Sequence, residues 1–252
     1  MNGKLQSLYC YPDTDVLINK FGVRTLRELN VLENEFSLNK INDLLSAPEL
    51  ILNKFGINTL SRIHKYLFGD IYEWAGEFRK EDIAKDGVRF GAVSDIRNAI
   101  TDVSRYISSK NGFKEESLTE VVKDIALIHG RLMNAHPFRE GNGRTIRTFL
   151  ELVARNAGYE LFYGNVDKRS QIQADKASMG ETPSSDGLVI MYAQMVLPSK
   201  SKQRIVLTGT KCEPPFSFPD SFLQSGLKEM KRLGVDGGRC RSTTRGADPR
   251  GL

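Results

Sequence analysis

Cysteine is scarce and scattered: Cys10, Cys212 and Cys240 are the whole complement. An odd number at wide spacing excludes a disulfide framework and a CxxC metal pair, so reduced thiols in a cytosolic compartment are expected. Long hydrophobic runs are missing too. The longest, GLVIMYAQMVLP at 187–198, is well short of the ~20 residues that span a bilayer. The opening MNGKLQSLYCYPD has no apolar stretch of signal-peptide length. A soluble, cytoplasmic protein with no membrane span is expected. A basic body is the third absence. The formal net charge is +5, yet from Pro198 onward 11 Lys/Arg stand against 5 Asp/Glu, while the preceding residues hold 25 against 26. Gripping phosphate backbones without regard to sequence needs a basic face on a folded module. No specific nucleic-acid partner is therefore expected.

What is present fits a helical protein. The 252 residues suffice for one large domain with an appendage, and a chain of this size buries roughly 70% of its unfolded surface without staples. Apolar residues at helical spacing run from Leu17 through Leu26, Leu29, Leu32 and Phe36, and again from about Asn58 to Trp74. Between Glu77 and Gly91 that period is lost, and Asp86-Gly87 signals a hairpin turn. This hairpin is the only sheet expected. Helical pattern resumes over 94–107. Ser117-Leu118-Thr119-Glu120 is a capping box opening a long helix, which Pro137 must end near Ala135. Another helix is expected from about Gly143 to a stop at Asn156 and Gly158, and two more over 167–177 and 187–196. NKFGVRTLREL at 19–29 is similar to NKFGINTLSRI at 53–63, but two copies cannot make a solenoid. The division is a mainly α domain over 1–200 and a basic, poorly ordered tail over 201–252.

The chemically informative stretch is HPFREGNGRTIR at 136–147, between two strong helices. His136 closes one helix on a loop and suits a general base near neutral pH. Glu140 offers a hard oxygen ligand, and Mg²⁺ takes one or two carboxylates plus substrate phosphates. Gly141, Asn142 and Gly143 leave backbone amides open to a ligand, at the start of a helix whose N–H groups and dipole favour anions. Arg144 and Arg147, three apart, share a face from which to clamp phosphate oxygens. Residue types alone leave three possibilities: a polyphosphate transfer site, a plain Gly-Asn-Gly turn, or a helix-turn-helix. The connecting loop is longer than a helix-turn-helix uses, and no GxxxxGK[ST] loop is present.

HPFREGNGRTIR resembles, at each defining position, the HPFx[DE]GNGRxxR signature of the Fic family. IHKYLFGDIYEWAGEFR at 63–79 resembles the helix before the family's flap, DIAKDGVRF at 82–90 its flap hairpin, and LYCYPDTDVLINKFG its YxYPGTxxLxNKxG opening. The resemblance covers about residues 8–197 and implies a Fic-type helical bundle with one short β-hairpin flap at about 79–91. It further implies transfer of AMP from ATP to a Tyr, Ser or Thr hydroxyl of a target protein, with pyrophosphate leaving. His136 would be the base, Glu140 the Mg²⁺ ligand, and Gly141, Asn142 and Gly143 the anion hole. Arg144 and Arg147 would hold the β- and γ-phosphates, with Pro137 and Phe138 structural and Phe138 anchoring the loop. Ile83, Ala84 and Lys85 would pair with an extended target segment by strand addition.

Two departures from the family pattern carry consequences. Asp13 stands where the opening has Gly. The self-inhibitory [ST]xxxE[GN] motif is missing, with Ser225 to Met230 the nearest miss, which points to a small antitoxin-like inhibitor acting in trans. Transfer of another phosphate-containing group on the same fold is the alternative; a helical binding module without catalysis is a third. His129, seven before His136, and His64 are expected to pack in the core, and Trp74 beneath the hairpin.

Overall fold

Helix α1 (Leu26–Ser46) starts where the Thr25 hydroxyl accepts the Glu28 N–H, and its buried face carries Leu29, Leu32, Phe36 and Leu44. The apolar spacing from Leu17 is not helical. Leu17 pairs with Cys10 in an isolated antiparallel bridge, and the buried Asn19 side chain bonds the backbone of Leu17, Phe21 and Val23. A side chain that satisfies four backbone groups competes with the helix ladder, so the helix waits for Thr25. Asp13 takes a left-handed φ of 59°, a conformation that Asp tolerates in place of Gly.

The computed structural model describes residues 7–50, 55–56, 58–85, 87–179 and 183–199. The expected tail at 201–252, the Ser225 to Met230 stretch and Asp86 of the hairpin turn lie outside them. Helix α2 (Thr59–Phe68) ends at Gly69, earlier than the apolar stripe suggested. Ile71 and Tyr72 stay buried but in turns closed onto the Phe68 carbonyl. Strands β1 (Ala84–Lys85) and β2 (Val88–Arg89) pair antiparallel as the flap hairpin. Helix α3 (Ile96–Ser109) follows. Helix α4 (Leu118–Ala135) opens with the expected capping box between Ser117 and Glu120. Helix α5 (Asn142–Ala157) ends at Gly158, φ 90°. Asp167 caps α6 (Lys168–Ala177), and α7 (Asp186–Met195) completes the helices.

The hairpin is not the only sheet. Strands β3 (Tyr159–Leu161) and β4 (Val196–Pro198) form a second antiparallel pair. Three residues directly after a helix stop show no readable alternation; the pairing is made by the return of α7, and Glu151 of α5 accepts the Leu161 N–H at 3.1 Å. Helix α4 packs against α3, α5 and α7, and α2 against α1 and α5. Ile125, Ile128, Leu150 and Leu152 lie fully buried at the centre of one apolar core. The loop between α4 and α5 is thus held on both sides by core helices. Among the described residues no helix is long and apolar enough to cross a membrane.

Candidate active site

Local geometry between α4 and α5 follows from three residues. Pro137 stops α4, and His136 takes the left-handed cap, φ 43° and ψ 62°. Left-handed backbone costs a non-glycine residue roughly 1–2 kcal/mol, so its surroundings must hold it. They do. The His136 ring stacks on Phe90 at 3.7 Å and 15°, and its Nδ1 lies 3.3 Å from the Met133 carbonyl. Its carbonyl accepts from Arg79 Nε at 2.9 Å. Phe138 is wholly buried and stacks on His64 at 3.9 Å. The Asn142 amide closes a two-way ring with the Phe138 backbone, accepting its N–H at 2.9 Å and donating to its carbonyl at 2.7 Å.

Helix α5 enters through Gly141, φ 77°. Its first backbone bond runs from Thr145 N–H to the Gly141 carbonyl, so the earlier N–H groups point out of the helix end. A Cβ on Gly141 would meet the Phe68 ring at 2.4 Å. A Cβ on Gly143 would lie 3.2 Å from both terminal nitrogens of Arg147, which places that guanidinium against the first turn of α5. Glu140 is partly exposed at the same end, its Oε1 accepting the Gly141 N–H at 2.8 Å. Arg144 is not left open as the sequence suggested. Its guanidinium pairs with the buried Glu33 carboxylate, bonds Ser37 at 3.2 Å and lies 4.7 Å over the Phe68 ring.

A cavity of about 580 Å³ opens beside both arginines, lined by Ile41, Leu45, Leu161 and Ile172 and by the acid Asp175. The volume lies in the range of small-molecule sites. On the other side of His136 the hairpin presents Ala84 and Lys85 exposed and Ile83 half-buried. Among the described residues its sheet has two strands only, so each strand keeps one edge without a ladder partner. Every sequence-chosen residue thus falls in one of two places, the α4–α5 junction or the hairpin, joined through Phe90 on His136.

Burial sets the protonation here. His136 is lowered to about 4 by desolvation, Arg79 and Lys85, against the opposing pull of Met133's carbonyl and Glu140. Its imidazole is neutral at pH 7 and ready to take a proton. Burial pushes Glu33 up, against the pull of Arg144. Asp175 rises to about 6 by burial, although Arg147 draws it down.

Residues 54–154 match the model of the Fic/DOC family. The chain carries a Fic domain. It is 32% identical over 166 residues to the protein adenylyltransferase VbhT of Bartonella schoenbuchensis, covering 66% of this chain but 34% of that protein. It is 26% identical over 180 residues to the probable protein adenylyltransferase Fic of Escherichia coli, covering 71% of this chain and 88% of that one. The chain thus spans about a third of its Bartonella relative's length and most of the Escherichia coli relative's. Among solved structures, BepC, a translocated effector of Bartonella tribocorum crystallised with AMPPNP, superposes with a TM-score of 0.69 at 25% identity. The match covers 76% of this chain and 97% of the crystallised chain. The mainly α fold with a short hairpin is that of these Fic-domain neighbours.

Four residues outside the motif brace it: His64, Glu33, Arg79 and Phe90. His64 accepts the Gly76 N–H on Nδ1 at 2.8 Å, so its Nε2–H donates to the Glu140 carbonyl at 3.0 Å. It is a core residue, as expected, but one that holds the motif. Glu33 left a trace: an acid interrupting the apolar stripe of Leu29, Leu32 and Phe36. Arg79 and Phe90 left none. Trp74 stacks on Tyr72 at 4.4 Å and meets Tyr9 edge-on. His129 is buried as expected, its Nδ1 3.0 Å from the Tyr192 hydroxyl.

Proposed function

We propose that this Fic domain transfers AMP from ATP to a hydroxyl side chain of a target protein, releasing pyrophosphate. The observation that carries the proposal is the intact HPFREGNGRTIR motif, folded with a neutral, braced His136 beside the open N-terminus of α5. His136 takes the proton of the target Tyr, Ser or Thr hydroxyl. That oxygen forms a bond to the α-phosphorus while the bond to the bridging oxygen of the β-phosphate breaks, and pyrophosphate carries the negative charge away. The N–H groups at Asn142, Gly143 and Arg144 face the phosphate oxygens, where such preorganised donors stabilise developing charge. Gly141 supplies the left-handed turn that opens this nest. Arg147 holds the outer phosphates, and Arg144 reaches them from its pair with Glu33.

Glu140 fits magnesium: a half-exposed carboxylate at the phosphate end of a helix, one hard ligand where magnesium takes one or two. Among the described residues no cluster of three or more His, Cys, Asp or Glu is placed to hold a metal by protein ligands alone. Magnesium, when bound, would neutralise charge on the phosphates. The unpaired edge at Ile83, Ala84 and Lys85 suits an extended target segment added as a strand. The reaction belongs in the cytoplasm, of the producing cell or of a recipient, and inhibition comes in trans from a small antitoxin-like partner that supplies a competing carboxylate to Arg147.

Incubation with α-labelled ATP, Mg²⁺ and cell lysate tests the reading, with His136→Ala as control. Label on protein from the wild type alone is expected, and intact mass should show an AMP adduct. A phosphate or phosphocholine adduct would replace this proposal with the same-fold alternative. Equal labelling by both chains would remove His136 from the chemistry.

A further inference from the structure

Arg79 has no part in the chemistry just described, yet it is among the most buried side chains, 1% exposed. Its guanidinium fork is spent almost entirely on backbone carbonyls. Nε donates to the His136 carbonyl at 2.9 Å, and Nη2 to Ala135 at 3.3 Å and to Gly91. Nη1 donates to the Glu81 carbonyl at 2.9 Å and to the Asp82 carboxylate at 3.4 Å. Its own N–H donates to the Pro137 carbonyl at 2.8 Å. Two of these acceptors are the last carbonyls of α4 and its cap, where a cation is favoured by the helix dipole. The guanidinium's other acceptors are the two roots of the flap: Glu81 and Asp82 on entry, Gly91 on exit. Asp82 also accepts the Val93 N–H at 2.9 Å, and the Gly91 N–H donates to the Asn134 carbonyl at 2.8 Å. Phe90, one residue before Gly91, carries the stack on His136.

We infer that Arg79 is a positioning residue, a clasp that fixes the target-docking strand of the flap at one distance and angle from the His136 imidazole. The inference rests on the AMP-transfer reading. A hydroxyl delivered by a segment paired along β1 reaches the base only if the strand and the imidazole form one rigid frame, and misplacement of about 1 Å can cost on the order of 100-fold in rate. Lysine cannot replace the fork, because an ammonium lacks the planar five-donor geometry that spans three segments. The nucleotide half of the site, Gly143 with Arg147, makes no contact with Arg79 and should be indifferent to it.

The test compares Arg79→Lys, Arg79→Gln and Asp82→Ala with wild type in the full chain. AMPPNP affinity should stay within about threefold of wild type, whereas transfer from α-labelled ATP to lysate proteins should fall at least about tenfold in both Arg79 variants. Amide exchange at Ala84, Lys85, Val88 and Arg89 should accelerate at least about tenfold while α5 is unchanged. Asp82 is exposed, so Asp82→Ala should fold and show the same flap effect in smaller measure, which keeps the inference testable if the Arg79 variants do not fold. Wild-type transfer and flap exchange in the variants would overturn the clasp, as would a loss of AMPPNP binding in proportion to activity. A wild type that transfers no label would instead overturn the AMP-transfer reading and leave the exchange result to judge the clasp by itself.

Discussion

Arg144 of the motif is ion-paired with Glu33 of α1, 111 positions earlier in the chain. The Tyr72 hydroxyl donates to the same carboxylate, so one buried acid orients an arginine of the motif and joins α1 to the turns after α2. Glu33→Ala leaves a buried hydroxyl and a guanidinium without their acceptor, a loss of about 1–3 kcal/mol. Urea unfolding should show that loss, and Glu33→Gln, which keeps one acceptor oxygen, should show less. A change under about 0.5 kcal/mol in Glu33→Ala would mean that the pair is replaced by water at no cost.

All three histidines of the chain have lowered pKa, His64 and His129 buried and His136 half-buried: His64 and His136 to about 4, His129 to about 3, each chiefly by desolvation. In the unfolded chain they take protons near pH 6.5. The unfolded state therefore binds more protons between about pH 6.5 and 3–4, and stability falls as pH falls through that window, being fully present above it. Thermal unfolding from pH 7.5 downward should show the drop in Tm that the histidines impose, reduced below about pH 6 by Asp175, whose raised carboxyl takes up its proton first in the folded state. Activity should behave differently, because His136 remains a neutral base in the folded protein down to about pH 4. A rate that halves near pH 6.5 with the fold intact would contradict the lowered pKa of His136.

Glycine substitutions separate strain from contact. Gly158 and Gly141 both have positive φ, but a Cβ on Gly158 meets open space while one on Gly141 strikes the Phe68 ring. Gly158→Ala should cost about 1–2 kcal/mol, the left-handed penalty alone. Gly141→Ala should cost more and abolish transfer. Equal costs would mean that Phe68 moves aside freely. Gly143→Ala, which displaces the Arg147 guanidinium, should weaken ATP use with little effect on Tm.

Arg147→Ala should lower kcat/KM for ATP by about 10- to 100-fold, the worth of one charge-assisted contact of roughly 1.5–3 kcal/mol, without unfolding the domain. Glu140→Ala should raise the Mg²⁺ concentration needed for half-maximal transfer. A flat magnesium response in that variant would take Glu140 out of the metal's coordination.

Expressed alone, the chain should be toxic, and co-expression with a small antitoxin-like protein should relieve the toxicity. Deleting 201–252 should leave transfer unchanged, because the inhibitory carboxylate is proposed to come in trans. A sharp rise on deletion would place the inhibitory carboxylate in cis, with Glu229 the candidate.

The motif was legible because its constraints are local. A proline that stops a helix, glycines that open a turn and charges three apart on one face act within a dozen residues, and so the sequence alone located the α4–α5 junction and every residue chosen there. The capping boundaries of α4 and α6 were equally local. The ends of α1 and α2 were not, since Asn19 and the buried turns after Phe68 override an apolar spacing that reads as helix. Three facts belonged to the tertiary structure alone: that Arg144 faces Glu33, that Arg79 ties the flap roots to the end of α4, and that β3 finds β4 across α7. Each joins segments far apart in the chain through a buried polar group or a backbone edge. Such a pairing is decided by which surfaces the packed helices bring together, and local periodicity holds no record of it.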